Sequence, residues 1–195
     1  MSALFLTAPS AIRGSALFAR DRTIRREIRR WWVGKPVRWA AWLMLNPSNA
    51  GEDRNDPTAR RVTQFTMRWG FDGWIGINLY PVISSHPKQM WHWADYESNG
   101  PDWYARDDME ANLEDIGRVA REASLRMVAF GAAPIERDEM RLEQALEQFE
   151  QPSDIGADER FYCLGITQSG QPLHPLARGK HRIPDSATAQ LWRRT

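Results

Sequence analysis

The sequence predicts an α/β fold: a three-layer α/β/α sandwich around a mainly parallel sheet of about four strands. Two observations carry this. Short, unbroken apolar runs such as Ala40–Leu45 end in turn formers, the pattern of strands buried on both faces. Between these runs lie segments with helix start and stop signals, and such alternation implies right-handed crossovers and parallel pairing. At 195 residues the chain suits one sizeable core, so residues 1–195 are read as a single α/β domain.

Residues 1–36 read as a basic N-terminal extension. Within it, Ala3–Leu6 and Ser15–Ala19 form an antiparallel edge ribbon around Pro9 and Gly14. Asp21–Arg30 holds too few apolar residues to choose between a short helix and a loop. It is either a solvated surface or a phosphate-facing patch. Val37–Leu45 is the first core strand, followed by a loop, Asn46–Asn55, rich in Asn, Gly and Asp. Asp56 and Pro57 are an N-cap and a first helical residue. Val62, Phe65, Met67 and Trp69 fill that helix until Gly70 stops it.

Gly73–Leu79 is the second core strand, and Val82–Pro101 reads as a long irregular segment of the kind that is often functional. Within it, Trp91-His92-Trp93 either stacks on bases or covers the sheet. A helix over Trp103–Glu122 precedes the third strand, Arg126–Phe130, and a second acidic helix covers 134–149. Gln151–Arg160 is a polar connection before the fourth strand, Phe161–Ile166. Thr167–Arg182 is a loop, and Asp185–Arg194 reads as a terminal helix.

Composition narrows the function. A single cysteine, Cys163, excludes an internal disulfide, a thiolate zinc site and an iron–sulfur cluster. No apolar run reaches membrane length and the N-terminus lacks a signal-like core, so a cytoplasmic protein away from membranes is expected. Formal net charge is +1, but the charge is divided. Residues 1–94 carry 14 basic and 6 acidic side chains, residues 95–159 carry 6 and 18, and residues 160–195 carry 6 and 1. Of the basic residues 23 are arginine, the better bidentate phosphate ligand, although coding bias and solvated helix faces give the same count.

The candidate chemistry lies where strands end, because ligands of open parallel sheets bind at the carboxyl edge. Asn46 follows the first core strand and Asn78 ends the second. Gly131 follows the third, and His174-Pro175-Leu176 follows the fourth. Each has an ordinary competing role: Asn46-Pro47 as a turn, Asn78 as a loop cap, His174 as a satisfied loop histidine. Asp53 and Asp56 are acid/base candidates, Asp56 doubling as an N-cap.

The motifs Leu45-Asn46-Pro47-Ser48, Asp56-Pro57-Thr58, Trp69-Gly70, Asn78-Leu79, Gly100-Pro101-Asp102, Phe130-Gly131, Leu164-Gly165-Ile166-Thr167 and His174-Pro175-Leu176 run in order along nearly the whole chain. In these the sequence resembles a bacterial and phage family known as a domain of unknown function, DUF1643. It departs at Asn55-Asp56, where the family usually has two aspartates, and at Trp103, where an asparagine is usual. More distantly, Asn-Pro after strand one, Asn after strand two and His-Pro after the last strand are similar to the uracil-DNA glycosylase superfamily. Ser48 stands where that superfamily usually has glycine, and Met44 replaces another.

The second resemblance implies a uracil-DNA glycosylase-like fold and an N-glycosidic bond as target. It implies that Asn46 positions water and His174 donates to the departing base, with Asp53 standing beside them as the competing acid/base candidate. Asn78 would read the base edge in a pocket completed by Pro47, Ser48 and Tyr80. Leu176, Arg178, Lys180 and Arg182 would contact DNA. No metal or cofactor is expected, and the expected partner is DNA. Two alternatives stand beside it: an enzyme of nucleosides or nucleotides, and a non-catalytic nucleic-acid-binding module with a retained base pocket.

Overall fold

A computed structural model describes residues 11–99, 103–132 and 138–193. In chain order it contains β1 (Arg13–Ala19), β2 (Ile24–Trp31), β3 (Trp39–Met44), α1 (Pro57–Arg68) and β4 (Gly73–Asn78). There follow α2 (Pro87–Asn99), α3 (Trp103–Glu122), β5 (Leu125–Val128), α4 (Glu139–Phe149), β6 (Phe161–Cys163) and β7 (Gln190–Leu191). A short 3₁₀ turn covers Gly179–His181. The fold is mixed α/β, and the strands form one seven-stranded sheet in the order β1-β2-β4-β3-β5-β6-β7.

This corrects the expected mainly parallel sheet of about four strands. Pairing is parallel at β3–β4, β3–β5 and β5–β6, and antiparallel at β1–β2, β2–β4 and β6–β7. The parallel pairs join the strands recognisable from their apolar runs. The antiparallel ones add the short or charged strands at either side.

β2 is the clearest departure, because most of the Asp21–Arg30 stretch, from Ile24 on, is a strand that follows a turn at 21–23. Its Ile24 and Ile28 are buried, and its charges pair across to α3. Arg29 reaches Glu122 at 2.6 Å, Glu27 meets Arg118 at 2.8 Å, and Arg26 holds Asp115. The basic flank therefore rests on the acidic middle of the chain, where linked pairs hold one another in place better than isolated surface pairs do. The ribbon at this edge is β1 against β2; Ala3–Leu6 lies outside the described residues.

Alternation along the strands divides the core. Ala41, Leu43, Ile75 and Ile77 pack with Ile116 and Val119 of α3 and Phe149 of α4. Ala40, Trp42, Met44 and Trp74 pack on the other face against Val62 and Phe65 of α1. Asp56 caps α1, its Oδ1 accepting from the Ala59 N–H at 2.7 Å, and Gly70 at φ 77° ends it.

Val82–Pro101 is not irregular throughout, since α2 occupies most of it and buries Met90 and Trp91. Trp91 meets Tyr80 edge-on with ring centroids 5.4 Å apart, so this tryptophan covers the sheet. The expected terminal helix is replaced by turns and β7, which seats Trp192 against Phe130 and Phe161. No helix of the described residues is long and apolar enough to cross a membrane.

Gly73 opens β4 where β2 and β3 both approach. A Cβ there would lie 2.5 Å from the Trp39 ring and 2.6 Å from the Arg30 carbonyl. Gly73→Ala is expected to lower unfolding free energy by roughly 1–3 kcal/mol. Urea denaturation reads this directly, and an unchanged midpoint would contradict the packing described.

Candidate functional site

A cleft of about 750 Å³ opens at the carboxyl ends of β3 and β4, within the usual range for small-molecule sites. Its floor is apolar, made by Ile28, Met44, Trp74 and Phe130. Asn46, Ser48, Asn78, His174 and Leu176 line it. Five residues singled out from sequence are thus brought together by the end of the sheet.

Asn78 is the most distinctive. It is 1% exposed, and among the described residues neither Nδ2 nor Oδ1 has a hydrogen-bond partner. An unpaired buried amide costs roughly 1–3 kcal/mol per group, so it calls for a ligand with both donor and acceptor. The backbone around it is firmly held. Asn112 of α3 donates to the Asn78 carbonyl at 2.9 Å, and Arg141 of α4 donates to the Leu79 carbonyl through Nε at 3.0 Å and Nη2 at 2.9 Å. The rigid strand end aims the amide without bonding it.

Asn46 is held differently. Its Nδ2 donates to the carbonyls of Ser84 at 2.8 Å and Pro47 at 3.1 Å. With the amide nitrogen occupied, Oδ1 is the atom left to accept from a ligand or water. Pro47 itself does not line the cleft; its carbonyl takes the second of these bonds and one from the Ser84 N–H at 3.0 Å. Ser48 donates its hydroxyl to Asp56 Oδ2, so Asp56 is fully occupied as cap and acceptor.

His174 has its tautomer fixed by the chain. The Leu176 N–H donates to Nδ1 at 3.1 Å, which leaves the proton of the neutral ring on Nε2. Burial pushes its pKa below the ordinary 6.5, and the Asp56 charge offsets this only in part. His174 is a neutral donor.

Other expected residues stand elsewhere. Tyr80 is fully buried in the core against α2, with its hydroxyl donating to Asp138 Oδ2 at 2.8 Å, so it packs and does not face the cleft. Asp53 is exposed and outside the lining. Arg178, Lys180 and Arg182 are exposed on the segment that follows the His174 turn.

Sequence reasoning missed Arg25, Phe130 and Ser84. Arg25 was hidden among basic neighbours of β2, and Phe130 looked like an ordinary core residue. Ser84 holds the Asn46 turn through its backbone, accepting from Asn46 Nδ2 and donating to the Pro47 carbonyl. Among the described residues no group of three or more His, Cys, Asp or Glu gathers as metal ligands.

Residues 25–176 match the family model described as Protein of unknown function (DUF1643). No curated protein and no solved structure matches the chain.

Proposed function

The chain belongs to the DUF1643 family, and we propose that this member hydrolyses the N-glycosidic bond of a base extruded from DNA, in the manner of a uracil-DNA glycosylase. One observation carries the reading: Asn46, Asn78 and His174 converge in one cleft, with the Asn78 amide buried and unpartnered. The reading rests on these side chains and not on a fold match.

Cleaving this bond builds oxocarbenium character on the sugar and negative charge on the departing base. Asn78 supplies a donor and an acceptor to the base edge, above a floor that includes Phe130. His174 Nε2–H donates to the developing anion, and a neutral donor in a dry site is effective there. Asn46 Oδ1 accepts from a water and turns its lone pair toward C1′. The base leaves with the bonding electrons; the water's hydroxyl ends on C1′ and its proton on the base. Leu176 at the cleft wall fills the vacated stack, and Arg178, Lys180 and Arg182 hold flanking phosphates.

Incubation with duplex and single-stranded DNA carrying uracil, deaminated purines or bulky modified pyrimidines, followed by alkaline cleavage, tests this. Strand breaks at one of these bases are expected; intact strands across the whole panel contradict it.

The pH profile follows from His174. Burial holds its pKa below the ordinary 6.5, and protonating Nδ1 would set a donor against the Leu176 N–H. Single-turnover base release should therefore hold at neutral and alkaline pH and decline on acidification, with its midpoint below 6.5. A midpoint above 6.5 would contradict the assigned role.

A further inference from the structure

Arg25 is a buried cation that forms no ion pair with any side chain among the described residues. It is 3% exposed and lines the cleft. Its Nη1 donates to the Ala50 carbonyl at 2.7 Å, with the Ser48 carbonyl at 3.4 Å. Its Nε is buried without a partner, and among the described residues nothing bonds Nη2 or forms an ion pair with it. The Nε–Nη2 edge is the fork that takes two oxygens of one phosphate. A buried charge left without a counter-ion is costly, and a ligand anion removes that cost.

The backbone takes care to place it. Leu17 pairs with Glu27 and Phe18 with Arg25, so Arg26 is an extra residue in β2. This bulge sends Arg26 and Glu27 to α3 and keeps Arg25 on the face of Ile28 and Arg30, over the cleft. Burial lowers its pKa to about 10, and the Asp56 charge counters this in part, so it stays cationic at neutral pH. Asp56 does not compete for the open edge, since both its oxygens are engaged. Arg54 and Arg60 stand in the same lining and keep it positive.

We propose that Arg25 is the anion-binding group of this cleft and holds a phosphate of the bound nucleotide on its Nε–Nη2 edge. The inference deepens the base-recognition reading and rests on it for the nucleoside half alone. The phosphate is either a diester in DNA or the monoester of a free nucleotide; both present the same oxygens.

Calorimetric titration of the full chain with inorganic phosphate, the four deoxynucleosides, their 5′-monophosphates and the dinucleoside phosphates separates these. The phosphate-bearing forms should bind about tenfold or more tighter than the nucleosides. Tighter diester binding assigns the source to DNA, and tighter monoester binding assigns it to a free nucleotide. Arg25→Gln should abolish the phosphate preference and leave nucleoside binding unchanged, and its melting temperature reads the lost Ala50 contact separately. Arg25→Lys, which keeps charge without the fork, should retain part of it.

If Arg25→Gln does not fold, the wild-type ratios decide, together with the thermal shift from inorganic phosphate against chloride at matched ionic strength. Equal binding of nucleoside and nucleotide, with no shift from phosphate, overturns the proposal. Base release without phosphate preference removes the Arg25 site and spares the glycosylase reading. Phosphate preference without base release does the reverse.

Discussion

His174→Ala is expected to slow single-turnover base release by about 10²–10³, the usual loss when one donor to a developing anion is removed. Folding and DNA binding should change little, because the half-buried ring makes one bond, from the Leu176 N–H, and builds no core. Asn46→Ala should fall by a similar factor, since it removes the oxygen that orients water. Its Nδ2 bonds to Ser84 and Pro47 add a stability cost of about 1 kcal/mol, which denaturation separates from the rate. Single-turnover kinetics beside binding isotherms makes the distinction. Variants that release base at the wild-type rate would leave both residues as turn formers.

The second large effect is structural. Arg30 is 2% exposed and lies beneath the Asn46–Asp56 loop. Its Nε donates to Asn55 Oδ1 at 2.6 Å, and Nη2 donates to the carbonyls of Gly51 and, at 3.2 Å, Arg54. Nη1 donates to the Arg29 carbonyl at 2.7 Å. Arg30→Ala strands these acceptors and opens a cavity, so a loss of about 3 kcal/mol is expected. Because the same loop carries Ser48 and the α1 cap, ligand binding should weaken with it. Urea denaturation and nucleotide titration check both, and a loss below 1 kcal/mol would contradict the anchoring role.

Arg25 and Arg30 also mark where sequence reading ends. β3, β4 and α1 follow from apolar runs, Asp56-Pro57 and Gly70, because local chemistry dictates them. β2 does not, since its burial depends on charge partners on α3 about 90 residues away. A basic run carries no sign of the acidic helix beneath it. β7 is two residues long, too short for any periodicity, and it forms because Phe161 and Trp192 stack.

At the site, Asn46, Asn78 and His174 are legible because each is polar at the end of an apolar run. The Tyr80 assignment fails because neighbours in sequence beyond a strand end need not share its face: Asn78 meets the cleft, and two residues on Tyr80 meets α2. Arg25 depends on a bulge of one residue, which alternation alone cannot place. Asn112 and Arg141 steady the β4 end from helices far along the chain, a purely tertiary relation.

The proposed release of a base from DNA in this cleft is read by mass-spectrometric counting of free base and abasic sites after incubation of the wild-type protein with the modified-base DNA panel. The two products are expected in equal amounts from one substrate, and neither from the His174→Ala protein on the same timescale. DNA that is bound yet recovered intact, with no free base from any member of the panel, would contradict it.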